Sequence, residues 1–342
     1  MKRKIFIISL VLSVVLVFSA CENDTPNESL STVTTGETSS IVSENSSDTE
    51  AESKLEDESK EESSSKPVIS LAPSKSESVV SQPPKKPELV NVTVGTYEVY
   101  DALNSRGLST KKSGFGFGAA KNGQPHSISV NNQKRFDSMA NVKALALDTK
   151  STDKRMYLTF DCGYEYKNLT AVILDTLKEK QVKAAFFVTL DYVKKNPELT
   201  KRMIDEGHIV GNHSSTHPSF PTISREKMAK EIWTLEDYIR KNFNYESKYF
   251  RFPAGENSEC SLELVSSMGY YSIFWSVAHT DWNTSNQPTT ENAVKTVTDR
   301  YHNGAVILLH AVSQANADGL AEMIDIAHAQ GYTFKTLDDY GK

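Results

Sequence analysis

Strands and helices alternate along the C-terminal part of this chain, and the alternation limits the folds that it can adopt. From about residue 154 onwards, short apolar or β-branched runs are separated by longer segments with helical periodicity. The pattern predicts an α/β fold, with about seven parallel strands in a barrel or a doubly wound sheet. We expect strands at 156–160, 182–188, 208–210, 249–252, 271–275, 305–309 and 333–337, and helices at 169–180, 197–206, 225–243, 262–268, 293–302 and 319–330.

Polar side chains lie at the ends of several predicted strands. Asp161, Cys162 and Gly163 end the strand at 156–160, in which apolar residues alternate with Tyr157 and Thr159. Ligands bind at the carboxyl ends of strands in α/β folds, and in a barrel all these ends share one face. We therefore predict one site built from Asp161 and from the polar residues on or after four later strands, namely His213, His217, Arg251, Asp281 and His310.

The first residues have the pattern of an export signal. A positive start at residues 2–4 precedes an apolar run at 5–18, which is shorter than the ~20 residues of a typical membrane span. Small residues then precede Cys21, so residues 1–20 resemble a bacterial lipoprotein signal, with Cys21 as the lipidation site. The alternative is an ordinary secretory signal with an incidental Cys21. We predict an extracytoplasmic protein anchored to the cell membrane by lipid, or else a secreted one.

Two further regions precede the alternating part. Residues 21–88 are rich in Ser, Glu, Lys and Pro and lack aromatic residues, so they cannot bury enough surface to fold, and we predict a disordered tether. Residues 89–153 contain an apparent strand at 90–94, an aromatic-glycine loop at 114–118 and a short helix at 135–140. We predict an N-terminal extension packed on the barrel, whose aromatic residues serve packing rather than glycan binding.

Composition excludes some functions. The formal charge of −6 comes largely from the tether, and there is no basic stripe that would indicate nucleic-acid binding. Nothing in the sequence indicates a protein partner. The chain has three cysteines, which are too few for a disulfide framework, so the domain must depend on its hydrophobic core.

His213-Ser-Ser-Thr-His217 places two imidazoles four residues apart. A helical turn or a tight loop can direct both rings at one ion, and neutral imidazole suits Zn²⁺ and similar divalent metals. A pair of surface histidines is the alternative. The position of the pair after a strand, in the same half of the barrel as Asp161, favours a metal site.

These residues resemble the polysaccharide deacetylases of the NodB-homology type, carbohydrate esterase family 4, over residues 154–342. The family motif T-F-D-D-G is similar to Thr159-Phe-Asp-Cys-Gly163, and H-[ST]-x-x-H matches His213 to His217. R-P-P-x-G is similar to Arg251-Phe-Pro-Ala-Gly255, Asp-Trp matches Asp281-Trp282, and L-x-H matches Leu308-Leu-His310. The context of these motifs is similar to the branch that deacetylates muramic acid in peptidoglycan.

The resemblance implies a distorted (β/α) barrel and metal-dependent N-deacetylation, with zinc as the preferred metal. It implies that Asp161 is the general base, Arg251 its ion-pair partner, and His310 the general acid oriented by Asp281. It also implies contacts to the substrate or the oxyanion from Ala254, Trp282, Tyr164 and Glu165. Roles outside catalysis stay open for some of these residues: Trp282 in the core, Asp281 as a helix cap, Arg251 as a strand-end ion pair.

Cys162 departs from the family pattern, which has a second Asp, a metal ligand, at this position. A thiolate there would complete a Cys-His-His set, which Zn²⁺ accepts well, and we favour this interpretation. In the alternatives, Cys162 is a small filler and the metal is held by His213, His217, waters and substrate, or Cys162 forms a disulfide with Cys260. Phe252 also departs from the family's Pro, a change that could reshape the acetyl pocket.

We predict an enzyme that hydrolyses N-acetyl groups of peptidoglycan amino sugars, muramic acid in particular, with the cell-wall glycan as its partner. One alternative is deacetylation of another glycan: N-acetylglucosamine, a chitin-like oligomer or acetylated xylan. The other is a glycan-binding lipoprotein with a decayed site. The presence of Asp161, Arg251 and His310 argues against decay, because a binding protein needs neither an acid nor a base.

Overall fold

The computed structural model describes residues 88–342, so the predicted signal at 1–20, Cys21 and the tether up to residue 87 lie outside the described residues. No helix within residues 88–342 combines the length and the apolar character needed to cross a membrane. The strands are β1 (Val92–Val94), β2 (Tyr97–Val99), β3 (Ala144–Leu145), β4 (Arg155–Cys162), β5 (Ala185–Val188), β6 (Ile209–Asn212), β7 (Tyr249–Phe250), β8 (Tyr271–Ile273), β9 (Ala305–His310) and β10 (Thr333–Lys335). The α-helices are α1 (Ser127–Ser138), α2 (Leu169–Glu179), α3 (Leu190–Lys195), α4 (Pro197–Asp205), α5 (Arg225–Phe243), α6 (Glu259–Ser267), α7 (Thr290–Thr298) and α8 (Gln314–Ala329).

Eight of these strands form one parallel sheet. Its order is β10-β4-β5-β6-β7-β8-β3, and β9 also pairs with β4. Isolated bridges from Leu147 to Ala305 and from Val277 to Ile307 connect the far end of the sheet to β9. The predicted α/β fold, a distorted parallel barrel, is confirmed. The sequence did not predict β3, which comes from the N-terminal extension and pairs with β8.

Side chains of β4 alternate between two environments. Leu158, Phe160 and Cys162 belong to the hydrophobic cluster beneath α2, α7 and α8. Tyr157 belongs to the cluster inside the barrel. Because successive side chains of a strand point to opposite faces, Asp161 shares the inner face with Tyr157, at the carboxyl end of β4. Asp161 and Cys162, although adjacent in the sequence, therefore lie on opposite faces of the sheet.

Polar side chains cap the starts of six of the eight described α-helices, including α1 and α3. Ser224, Ser258, Thr289 and Ser313 each accept a hydrogen bond from a backbone N–H in the first turn, of α5, α6, α7 and α8 respectively. Such caps contribute about 1 kcal/mol each. The cap at Ser313 starts α8 at Gln314, before the apolar periodicity that predicted a start at 319.

The extension lies against the barrel. Ser113 and Asn257 exchange two backbone hydrogen bonds of 2.8 and 3.0 Å. Phe115 stacks on Phe274, with ring centroids 4.5 Å apart, and Phe136 of α1 stacks on the same ring at 4.9 Å. The helix predicted at 135–140 in fact begins at Ser127, where His126 provides the cap.

A buried carboxyl group connects the extension to the barrel. The Tyr270 hydroxyl donates to Glu236 Oε2 at 3.0 Å, and the backbone N–H of Ser247 donates to Oε1 at 3.3 Å. The Tyr97 hydroxyl of β2 lies 3.0 Å from that of Tyr270. Burial raises the pKa of Glu236 from 4.5 to about 7, because desolvation disfavours the charged form.

Stability should therefore depend on pH through Glu236. Its folded pKa lies above its unfolded value, so its contribution is complete below pH 4.5 and is lost as the pH rises to about 7. The lost free energy of unfolding is about 3 kcal/mol. We expect Glu236→Gln to be close to wild type in stability at pH 4.5 and more stable than wild type at pH 8, in urea unfolding. A stability difference between the two proteins that does not change with pH would contradict this prediction.

Candidate active site

Arg251 lies inside the barrel after β7 and holds Asp161. Its Nη1 donates to Asp161 Oδ1 at 2.8 Å, its Nη2 donates to Thr159 Oγ1 at 2.9 Å, and its Nε donates to the Ile273 carbonyl at 3.1 Å. The guanidinium carbon also lies 4.2 Å from the ring centroid of Phe187, a cation–π distance. These contacts restrict both the position of Arg251 and that of the Asp161 carboxylate.

The Asp161 carboxylate is held in its ionised form. Burial alone would raise its pKa, but the positive charge of Arg251, together with His213 and His310, lowers that pKa below its usual value. Arg251 donates to Oδ1, so Oδ2 is the carboxylate oxygen of Asp161 that is available to accept a proton. It lies 3.6 Å from His213 Nε2.

The hydrogen bonds of His213 define its tautomer. Its Nδ1 lies 2.8 Å from the Arg251 carbonyl oxygen, which can only accept, so Nδ1 carries the proton. The lone pair of Nε2 is therefore free and faces Asp161. Burial lowers the pKa of His213 to about 4, so the ring is neutral at pH 7. A neutral imidazole with one nitrogen held by a carbonyl is the usual form of a metal ligand.

A tight loop brings His217 back to His213. Ser214 and His217 both have left-handed backbone conformations, with φ values of 66° and 58°. Such conformations cost non-glycine residues on the order of 1–3 kcal/mol each and are concentrated at functional sites. The Ser214 hydroxyl accepts from the His217 N–H at 3.0 Å, and the two imidazole centroids lie 4.8 Å apart.

These two imidazoles fit a divalent metal ion. Burial lowers the pKa of His217 as well, so both rings offer lone pairs at neutral pH. Within residues 88–342, no group of three His, Cys, Asp or Glu side chains is arranged to hold a metal. Among the described residues, His213 and His217 are therefore the pair whose chemistry fits such an ion.

Cys162 does not join the histidines, and the predicted Cys-His-His set is wrong. Its side chain is fully buried among apolar residues beneath the helices and does not line the cavity, since it points to the opposite face from Asp161. Burial raises the pKa of the Cys162 thiol well above its usual value, and the charges of Asp161 and Glu165 add to this effect. Cys162 and Cys260 are both free thiols, so the alternative disulfide is wrong too.

Glu165 is also misassigned as a substrate contact. Its Oε1 accepts from the Thr170 N–H at 3.3 Å, and its Oε2 accepts from the Tyr192 hydroxyl at 3.3 Å. Asn168, at the N-cap position of α2, makes no capping hydrogen bond with its side chain. Glu165 therefore caps α2, and it is absent from the cavity wall.

Asp281 and His310 form the second pair of the site. His310 Nδ1 donates to Asp281 Oδ1 at 2.7 Å, and the His310 backbone N–H donates to Oδ2 at 2.8 Å. Asn316 of α8, which is fully buried, donates to the same Oδ2 at 2.6 Å. Asn316 Oδ1 lies 2.9 Å from His279 Nε2, which fixes the amide orientation. Asp281 is not a helix cap, because α7 begins at Thr290.

This arrangement favours a proton on His310. Burial alone would lower its pKa, but the hydrogen bond and the charge of Asp281, together with the charge of Asp161, raise it. Since Nδ1 is bound to Asp281, Nε2 is the nitrogen free to donate a proton. Trp282 lies beside it, with ring centroids 6.0 Å apart, and is 54% exposed, so it is not a core residue.

One cavity of about 1170 Å³ connects these groups. Ala254 lies in its wall with a left-handed φ of 53°, next to Gly255. A side chain on Gly255 would lie 2.8 Å from Trp275 and 2.9 Å from Phe115, so only glycine fits there. Phe252, in contrast, is buried in the core cluster and does not reach the cavity. The sequence-predicted residues that line the cavity are Asp161, Tyr164, His213, His217, Ala254, Trp282 and His310.

Comparison with known proteins agrees with this geometry. A family model for polysaccharide deacetylases matches residues 148–273. The peptidoglycan-N-acetylmuramic acid deacetylase PdaA of Bacillus subtilis is 42% identical over 188 residues, which cover 55% of this chain and 71% of that protein. The chain belongs to the polysaccharide deacetylase family.

A second relative and a solved structure support the assignment of this chain to the polysaccharide deacetylase family. The peptidoglycan-N-acetylglucosamine deacetylase PgdA of Listeria monocytogenes is 33% identical over 205 residues, covering 59% of this chain and 42% of that protein. The solved structure of B. subtilis PdaA, a family 4 carbohydrate esterase, superposes with a TM-score of 0.62 and 37% identity, covering 68% of this chain and 98% of that one. The predicted family and enzyme class, a hydrolase of N-acetyl groups, are confirmed, and the family's deacetylases are generally metalloenzymes.

Two residues that support the site of this deacetylase, Asn316 and His279, were not predicted from the sequence. Neither lies in a motif, and Asn316, in the first turn of α8, donates both to Asp281 and to the His310 carbonyl. We expect Asn316→Ala to lower kcat by roughly 10-fold with little change in KM, since Asp281 loses a charged hydrogen bond that positions His310. Steady-state acetate release measures this effect. Gln314→Ala, on the same turn but bonded to Asp318, is the control, and an equal loss in both variants would contradict the assignment.

Proposed function

We propose that the protein hydrolyses the N-acetyl groups of peptidoglycan amino sugars, N-acetylmuramic acid in particular, and releases acetate. The observation that carries this proposal is the convergence in one cavity of an ionised carboxylate, two neutral imidazoles and His310, which pairs with the buried Asp281 behind it. The similarity to PdaA, named for muramic acid, supports the choice of sugar.

In the proposed reaction, Asp161 and His310 share the proton transfers. Asp161 Oδ2 takes the proton of the attacking water, because Arg251 holds the carboxylate ionised and oriented. His310 Nε2 then donates a proton to the departing amine, while Asp281 holds the opposite nitrogen. The backbone N–H of Ala254 stabilises the oxyanion, and Trp282 lines the acetyl pocket.

His213 and His217 are the residues that would hold the metal ion, for which we propose zinc. The support for zinc is the chemistry of two neutral imidazoles, which suit this ion. When bound, the ion supplies Lewis-acid activation of the acetyl carbonyl and of water. The protein itself keeps the imidazoles of His213 and His217 neutral and holds them next to each other, with centroids 4.8 Å apart.

We also propose an extracytoplasmic location, with a lipid anchor on Cys21 and the tether at 21–88 between membrane and enzyme. The support is the charge and apolar pattern of residues 1–20, together with a peptidoglycan substrate, which lies outside the cytoplasmic membrane. Lipid labelling of wild type but not of Cys21→Ala is the expected result, whereas no labelling of either would favour a secreted protein.

Acetate release by the full chain tests the function. The substrates are peptidoglycan glycan strands with and without peptide stems, and N-acetylglucosamine oligomers. We expect acetate to be released from the strands that contain muramic acid. Removal of metal with a chelator should abolish this activity, and added Zn²⁺ should restore it. Cys162→Ala should keep its metal content, because the thiol lies outside the site. No acetate from any glycan, with metal bound, would overturn the proposal and favour a glycan-binding protein.

A further inference from the structure

The cavity contains a cation that the reaction described above does not use. Among the described residues that line it, Arg300 is the single Lys or Arg. Arg251 contributes charge to Asp161 from inside the barrel but is fully buried and does not line the cavity. Arg300 follows α7 and is partly buried.

Arg300 has no carboxylate partner within residues 88–342. Its Nη1 donates to the Ala278 carbonyl at 2.5 Å, and neither Nε nor Nη2 donates a hydrogen bond to a described residue. Arg225 and Arg251, the two fully buried arginines, each pair with a carboxylate. Nε and Nη2 form the edge of a guanidinium that binds a carboxylate through two parallel hydrogen bonds. Arg300 thus lines the cavity, and the edge of its guanidinium that suits an anion has no partner among the described residues.

Arg300 lines the same cavity as residues that neighbour Asp281 and His310 in the sequence. The cavity wall that contains it also contains Ala278, which precedes Asp281 by three residues, and Val312, which follows His310 by two. Trp282 belongs to the same wall. Arg300 therefore lines the same cavity as His310 and Trp282, and an anionic substituent beside the acetyl group of a bound sugar would enter the cavity that contains this cation.

We propose that Arg300 binds the lactyl carboxylate of N-acetylmuramic acid and so selects this sugar over N-acetylglucosamine. The inference rests on the proposed function. In muramic acid the lactyl ether is on C3, adjacent to the carbon that bears the N-acetyl group, so both groups enter one cavity together. N-acetylglucosamine has a hydroxyl at C3 and offers Arg300 no charge.

Matched substrates test the inference with the full-length protein. They are a stem-free glycan oligomer with free lactyl carboxylates, the same oligomer with these converted to methylamides, and an N-acetylglucosamine oligomer. We expect Arg300→Gln to lower kcat/KM about 10- to 100-fold on the free carboxylate. The other two substrates should be unaffected. Arg300→Lys keeps the positive charge but cannot form the two parallel hydrogen bonds, so its kcat/KM on the free carboxylate should fall less than that of Arg300→Gln.

The control variant is Lys295→Gln, because Lys295 is on the same helix but pairs with Asp299 outside the cavity. It should behave as wild type on all three substrates. An equal loss by Arg300→Gln on every substrate would show a merely structural role and overturn the inference. So would an unchanged kcat/KM on the free carboxylate. In both of these outcomes wild type still releases acetate, whereas a wild type inactive on all glycans would overturn the proposed function as well.

Discussion

Asp161→Asn should lower kcat for acetate release by about 10²- to 10⁴-fold, the usual contribution of a positioned general base. The amide has the shape of the carboxylate but cannot take a proton from water at Oδ2. Since His213 and His217 stay in place, we expect the variant to keep its metal. Steady-state kinetics on stem-free glycan strands and metal analysis of the same preparation measure both effects.

Asp191→Asn is the matched control for Asp161. Asp191 also lines the cavity, but its carboxylate pairs with Lys195 on the exposed side of α3. Its replacement should leave kcat within about 2-fold of wild type, because exposed ion pairs contribute little. If both variants lost the same activity, a general effect of cavity charge would explain the result better than a base at Asp161.

Arg251→Met should cost both activity and about 3–5 kcal/mol of unfolding free energy, because it leaves a buried Asp161 carboxylate without its partner. Urea unfolding at pH 7 measures the stability. The double variant Asp161→Asn with Arg251→Met should recover part of this loss, since no buried charge then remains.

Arg240→Met is the comparison for Arg251. Arg240 pairs with Glu246 at the surface, where both side chains are largely exposed, so its replacement should cost less than about 1 kcal/mol. If Arg251→Met were as mild as Arg240→Met, the ion pair inside the barrel would not hold Asp161. If Arg251→Met lost activity but kept its stability, Arg251 would contribute to catalysis and not to the free energy of unfolding.

Much of the fold could be predicted from the sequence because its signals are local. Helix α5 begins and ends as predicted, at Arg225 and Phe243, since Ser224 caps it and Asn244 ends it in a left-handed conformation. The parallel strands were found because each is a short apolar run between helices. β3 was missed because two residues, Ala144 and Leu145, carry no periodic pattern and become a strand only by pairing with β8.

The site was predictable where residues follow strand ends. Asp161, His213 and His310 follow or end parallel strands, and a parallel barrel places all such ends on one face. Cys162 and Glu165 were misjudged because a motif position does not state which way a side chain points. The inward residue of β4 is Asp161, so its neighbour Cys162 faces the helices.

The sequence by itself determined the α/β architecture, the family and most of the residues that line the cavity, because strand period and motif order are properties of neighbouring residues. Only the tertiary structure decided which face of β4 turns into the barrel and so carries Asp161 rather than Cys162, the link from Asn316 to Asp281, and the position of Arg300 in the cavity wall. These depend on contacts between residues far apart in the chain. Such contacts form when the sheet closes and the helices pack over it, and no local pattern encodes them.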